Sequence, residues 1–157
     1  MEIRSAESRD LELVLQLRLA FLCEVRGLDT SQITEQFRAG TRAFIDRTHR
    51  EGRLWTWIAE ERGDVLGIVS SVVHDVPPLP EDDRCREGYI INEYVKPSAR
   101  GRGVGRTLLQ SALDSSHDLG IRQFHLYATD AGAPIYVSEG FTLHDRFMVL
   151  PVPVGAH

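Results

Sequence analysis

The stretch from residue 89 to residue 109 constrains the fold more than any other part of the chain. The run Tyr89-Ile-Ile-Asn-Glu-Tyr-Val95 is apolar and β-prone. Lys96-Pro97-Ser98-Ala99 then makes a turn, glycines stand at alternate positions 101, 103 and 105, and a helical pattern continues through Thr107-Leu108-Leu109. A strand that runs through glycines into a helix start builds an anion site. The first helical N–H groups lack intrahelical acceptors, and the helix dipole adds positive potential there. Glycines let the backbone approach a ligand that a side chain would hold off. Arg100, Arg102 and Arg106 crowd the same helix start, an end where cations are disfavoured unless an anion offsets them. The segment predicts a phosphate-bearing ligand.

The spacing narrows the ligand. No Gly-x-x-x-x-Gly-Lys-Ser/Thr string occurs, which excludes a P-loop. A Gly-x-Gly-x-x-Gly dinucleotide fingerprint fails in both registers: counted from Gly101 its last position is Arg106, and counted from Gly103 it is Leu108. The pattern that fits is Arg/Gln-x-x-Gly-x-Gly/Ala, filled by Arg100, Gly103 and Gly105. It resembles the acetyl-CoA-binding motif of the GNAT family of N-acetyltransferases. A second block, Ala133-Pro-Ile-Tyr136-Val-Ser-Glu-Gly140-Phe141, resembles that family's Ala-x-x-x-Tyr-x-x-x-Gly-Phe segment, and Ile3-Arg4-Ser5-Ala6 with Asp10-Leu11 resembles its opening.

Composition sets broad bounds. A chain of 157 residues, 42% hydrophobic and 26% charged, reads as one soluble globular domain over 1–157. No apolar run approaches membrane-spanning length, and the N-terminus lacks a signal-peptide layout. Cys23 and Cys85 are too few for a disulfide framework and read as free thiols in a reducing cytoplasm. A net charge of −5 argues against general nucleic-acid binding and suits an amine partner. His49, His74, His117, His125 and His144 show no metal-ligand spacing, so no metal is expected.

Along the chain, residues 1–4 read as a strand and 10–23 as a helix stopped by Gly27. Ser31 opens a second helical stretch that Gly40 interrupts. Leu54–Glu60 and Val65–Val73 form a hairpin around Arg62-Gly63-Asp64. The acidic, proline-rich 75–88 stretch is a loop. The helix after the glycines runs to Gly120, a strand parallel to the central one follows over Ile121–Ala128, a short helix spans 133–138, and Phe141–Val149 supplies one or two last strands. Trp55 and Trp57 share one strand face and read as core or substrate wall, and Ser115-Ser116-His117-Asp118 reads as polar surface. The pattern is α+β. The resemblance implies a GNAT-like acyl-CoA N-acyltransferase fold, a mixed central sheet whose two parallel strands splay apart and are flanked by helices.

Acetyl transfer from a thioester to an amine needs a proton acceptor for the amine, stabilisation of the developing oxyanion and a proton for the leaving thiolate. The resemblance implies that Tyr136 supplies that last proton and that the backbone N–H of Val95 stabilises the oxyanion. Glu93 is the leading base: a regular strand puts it on the face of Ile91 and Val95, and burial would raise its pKa. An exposed or salt-bridged glutamate is the alternative. Asn92 and Tyr94 share the opposite face and reach substrate or pantetheine if the strand bulges. The cofactor, acetyl-CoA, would lie on Val95, Arg100, Gly101, Arg102, Gly103, Val104, Gly105, Arg106 and Thr107. Where many family members place an asparagine, this chain has Thr129 and Asp130. Glu24, Asp29, Glu35 and Glu81-Asp82-Asp83 would attract a cationic acceptor, or are plain surface charge. The expected activity is transfer of acetyl to a primary amine of a small molecule or peptide in a ternary complex. A non-catalytic acyl-CoA-binding module and an unrelated nucleotide-binding domain are the other readings. A homodimer through exposed strands or the tail is compatible with all three.

Overall fold

The computed structural model describes residues 1–145 and 147–151. Its core is a five-stranded sheet in sequence order, β1 (Glu2–Ser5), β2 (Leu54–Glu61), β3 (Asp64–Asp75), β4 (Arg86–Val95) and β5 (Ile121–Leu126). β1 to β4 pair antiparallel, and β5 joins β4 in parallel. Helices α1 (Leu11–Arg26) and α2 (Glu35–Arg50) cover one face. Helix α3 (Val104–Asp114) covers the other, and the short α4 (Ala133–Ser138) packs Ile135 and Tyr136 against the same core.

Local chemistry explains most of these elements. Gly27 adopts φ 62° and its N–H closes the end of α1. The β2–β3 hairpin turns at Arg62 and Gly63, with φ of 55° and 87°, the left-handed pair that a two-residue turn of matching twist requires. Burial on the α3 face joins Trp57, Val69, Ile90, Val104, Leu108 and Leu109, with Trp55 packed beside them. On the α1–α2 face it joins Val14, Leu15, Leu19, Ile45, Ile58 and Ile68. Both tryptophans therefore serve the core. Arg4 ties β1 to the start of α1. It donates to both oxygens of Asp10, at 2.8 and 2.9 Å, and to Glu60 at 2.7 Å.

Several boundaries differ from expectation. Ser31 does not open α2: it lies in a 3-10 turn capped by Asp29, and the helix starts after Thr34, whose hydroxyl accepts from Phe37 N at 3.1 Å. Gly40 does not break the helix, because capping and the packing of Phe44 and Ile45 outweigh one glycine's cost of about 1 kcal/mol. Helix α3 ends at Asp114, six residues before Gly120, and 115–120 form turns. Ser115-Ser116-His117-Asp118 thus lies beyond the helix, with His117 exposed. β4 begins at Arg86, so the preceding loop is shorter, and β5 stops at Leu126. The last strands are absent among the described residues of 141–150. Leu143, Met148 and Leu150 are 98%, 92% and 86% exposed, and strand propensity without a buried face does not make a ladder. Pro151 is exposed coil, and Pro153 lies outside the described residues.

Candidate functional site

The pairing of β4 with β5 ends at Ile90↔Leu126, while β4 runs on to Val95 against β3. The parallel strands therefore diverge, leaving one edge of β4 open from Ile91 to Val95. The direction of the free backbone groups follows from the register. Lys96 N donates to Leu66 O at 2.8 Å. Amides along a strand alternate sides, so the N–H and C=O of Val95 face the gap. Consistent with this, Val95 O accepts from Arg100 Nε at 3.0 Å.

A β-bulge interrupts β4 at Ile91: Ser70 pairs with Asn92 while Ser71 pairs with Ile90. The extra residue shifts the phase of side-chain alternation. Ile91 then lies on the α1–α2 face with Tyr94, and Ile91 and Asn92 line the same cavity there. Glu93 is on the α3 face with Val95. The grouping of Glu93 with Ile91 expected for a regular strand is thus corrected by the bulge.

Glu93 stands at the start of α3. A Cβ on Gly105 would come within 3.0 Å of Glu93 Oε1, 3.6 Å of Val95 Cγ2 and 3.7 Å of Ile135 Cδ1. Gly105 is required by this close approach, whereas Gly101 and Gly103 are required by φ of 73° and 79°. Glu93 Oε2 is buried with no hydrogen-bond partner. Burial pushes the carboxyl up to about 7, with the Tyr136 hydroxyl pulling partly the other way. Tyr136 is itself shifted upward, first by burial and then by the Glu93 charge. Its ring meets Phe141 edge-on at 5.7 Å.

The amides from Gly101 to Arg106 donate to no protein acceptor among the described residues. Thr107 belongs to the helix: its N–H bonds Gly103 O at 3.1 Å and its hydroxyl bonds the same carbonyl at 3.2 Å. Each of the three arginines has a carboxylate partner: Arg100 with Glu24 at 2.6 Å, Arg102 with Glu61 at 2.7 Å and Arg106 with Glu139 at 3.2 Å. Their crowding at the helix start is offset by protein carboxylates, so the backbone amides are the better evidence for an anion site. These are surface pairs that yield readily to a phosphate. The Thr129 hydroxyl accepts from Gly132 N at 3.1 Å in the turn that leads into α4.

On the opposite face a cavity of about 650 Å³ lies between α1, α2 and β4, lined among others by Arg18, Leu22, Phe37, Phe44, Ile91 and Asn92. No acidic residue lines it. Glu24 binds Arg100, Asp29 caps its own turn, Glu35 lies 3.9 Å from Arg38, and Asp82 binds Arg84. Arg18 escaped sequence reasoning because its contact, with Ile91, lies 73 residues away. Among the described residues no cluster of His, Cys, Asp and Glu is arranged to hold a metal, and no helix is long and apolar enough to cross a membrane.

The diverging strands, the amide-lined helix start and the tyrosine on α4 define an acyl-CoA acyltransferase architecture. The sequence signature described as "Acetyltransferase (GNAT) family" matches residues 20–136, and the chain belongs to that family. It is 36% identical over 93 residues to the mycothiol acetyltransferase of Amycolatopsis mediterranei, covering 57% of this chain and 30% of that one. It is 28% identical to the glucosamine 6-phosphate N-acetyltransferase of Trypanosoma brucei brucei, covering 96% and 95%. The fold superposes on a predicted acetyltransferase of Clostridium acetobutylicum, solved with acetyl-CoA, with a TM-score of 0.82, 25% identity and coverage of 96% and 95%. The chain spans about a third of the length of the mycothiol acetyltransferase and nearly all of the other two.

Proposed function

We propose that the chain is an acetyl-CoA-dependent N-acetyltransferase, acting as one domain, that moves acetyl to a primary amine by direct attack in a ternary complex. The observation that carries this reading is the open edge of β4, flanked by Glu93, Val95 N–H and the free amides of Gly101 to Arg106. The Clostridium structure solved with acetyl-CoA supports the choice of cofactor.

In this reading the diphosphate lies on the amides of Gly101, Arg102, Gly103, Val104, Gly105 and Arg106, with the Arg100, Arg102 and Arg106 side chains turning to it. Thr107 braces the turn. The pantetheine arm fills the gap left by β5, its amides pairing with the edge of β4 as a strand would. The thioester carbonyl then lies by Val95 N–H, which meets the negative charge as the tetrahedral intermediate forms.

Glu93 takes a proton from the ammonium, directly or through a water. A carboxyl that ionises at about 7 suits this task near neutral pH. The amine nitrogen bonds to the carbonyl carbon, the C–S bond breaks, the thiolate takes the Tyr136 proton, and the second proton that the nitrogen sheds to become an amide returns the Tyr136 phenolate to the phenol. Part of what raises the Tyr136 pKa is the Glu93 charge. Once Glu93 is protonated that part disappears, so the phenol becomes a better acid at the point when a thiolate leaves. The base acts first, and its own protonation readies the acid.

The test is release of CoA thiol from acetyl-CoA with a panel of amines, using the wild type, Glu93→Gln and Tyr136→Phe. An enzyme loses rate in both variants and keeps cofactor binding by calorimetry. A non-catalytic acyl-CoA module binds acetyl-CoA and turns over nothing.

A further inference from the structure

We propose that the cavity between α1, α2 and β4 takes an amine that also carries a carboxylate on an apolar skeleton, with Arg18 holding the carboxylate and Asn92 bonding the polar group next to it. The proposal rests on the N-acetyltransferase reading and names the acceptor class for that site.

Two side chains carry the inference. Asn92 is 1% exposed, lines the cavity, and leaves both Oδ1 and Nδ2 without a hydrogen-bond partner. A buried amide with neither end satisfied is costly unless something binds to it, and its NH2 group and carbonyl oxygen supply donors and an acceptor at the cavity wall. Arg18 is the second. Its Nη1 donates to Ile91 O, the carbonyl exposed by the bulge, and its guanidinium is drawn away from water. No carboxylate pairs with it among the described residues, although Arg4, Arg42, Arg53, Arg84, Arg100, Arg102, Arg106 and Arg122 each have one. A partly buried cation without a counter-charge, in a cavity with no acidic residue, is complementary to a ligand anion.

The rest of the lining sets the remainder of the ligand. Leu22, Phe37, Phe44 and Ile91 give apolar walls, and Phe37 is 46% exposed at the mouth. This argues against a polyamine or another polycation, which would meet Arg18 and find no carboxylate. One guanidinium with its fork partly free matches the single charge of a carboxylate better than a phosphate dianion, which draws several cations. The cavity meets β4 at Ile91 and Asn92, where β5 has just departed. An amine beside Asn92 therefore lies next to the open edge at which the thioester would be attacked.

The test measures kcat/KM with acetyl-CoA for apolar α-amino acids, each beside its amide, its decarboxylated amine and its phosphonate analogue, with spermidine as the polycation. The carboxylate forms are expected to exceed the amides and decarboxylated amines by about 10- to 100-fold, the worth of a charge-assisted hydrogen bond. Arg18→Met abolishes that preference through KM while calorimetric acetyl-CoA affinity is unchanged, and Arg18→Lys keeps part of it. Asn92→Leu melts no lower than the wild type, because it removes two unpaired polar atoms, yet loses about 10-fold in kcat/KM. Saturation-transfer NMR with the amino acids reports binding to wild type and not to Arg18→Met, independent of turnover. Decarboxylated amines or spermidine acetylated as well as the acids, and indifferent to Arg18→Met, would overturn the proposal and leave the acetyltransferase reading standing. A phosphonate preferred to its carboxylate would overturn the choice of anion. Acetyl-CoA binding with no amine acetylated and no NMR contact would remove both readings.

Discussion

Replacing Glu93 with glutamine isolates the buried carboxyl that the proposed mechanism uses. In the fold this group ionises at about 7, against 4.5 without burial. The sign follows from the linkage. Between these values the folded state holds the proton and the unfolded state does not, so this group lowers stability as pH rises, and its penalty is complete above pH 7. The penalty is about 1 kcal/mol at pH 5, where the unfolded carboxyl is already largely ionised, and about 3 kcal/mol at pH 8. Glutamine has nearly the same shape and no charge, so its advantage over glutamate grows by about 2 kcal/mol between those two conditions. In a chain of this size that is a gain of roughly 4–8 °C in Tm. Urea unfolding of both proteins at pH 5, 6, 7 and 8 checks it, and contributions from other groups cancel in the difference. A stability difference flat across that range would show that Glu93 titrates as an ordinary surface carboxylate and would remove it as the base. With acetyl-CoA and an accepted amine, wild-type kcat/KM should rise with pH through about 7, and the glutamine variant should lose that rising limb.

Three further substitutions test the neighbouring parts. Tyr136→Phe removes the hydroxyl that lowers the Glu93 pKa, so the rising limb should move to higher pH as well as to a lower plateau; a lowered plateau with an unmoved limb would show that the two groups act independently. Gly105→Ala places a methyl 3.0 Å from Glu93 Oε1. The helix gains about 1 kcal/mol in propensity, so Tm should hardly change while kcat/KM falls about 10-fold, and equal losses in both would refute a specific effect on the carboxylate. Asp10 is held down to about 2 by Arg4 and by the Glu7 amide; its stabilisation is present above the usual carboxylate value and lost as pH falls through 2. Asp10→Asn should cost about 1–2 kcal/mol in denaturant unfolding at pH 7, with the gap closing near pH 2.

The signature that places the site was legible because its demands are local. Gly101 and Gly103 are needed for their own φ, Gly27 ends α1 by its own conformation, and Arg62-Gly63 turns the hairpin alone. Alternation and helical spacing placed the five strands and four helices for the same reason, with errors mostly at boundaries. The strands expected over 141–149 do not form among the described residues, because β-prone residues do not specify which edge they pair with, and Leu143, Met148 and Leu150 find none.

The chain's own order of residues determined that a strand would enter a glycine turn and a helix start, with a tyrosine some thirty positions on, since each depends on neighbours in sequence. Only the tertiary structure decided where side chains from distant segments met. The bulge at Ile91 sends Ile91 to the face of Asn92 and away from Glu93, Arg18 reaches across 73 residues to the carbonyl the bulge exposes, and the glycine-loop arginines find carboxylates on three other segments. Such contacts depend on how elements pack and slip in register, which a local pattern of residue types does not encode.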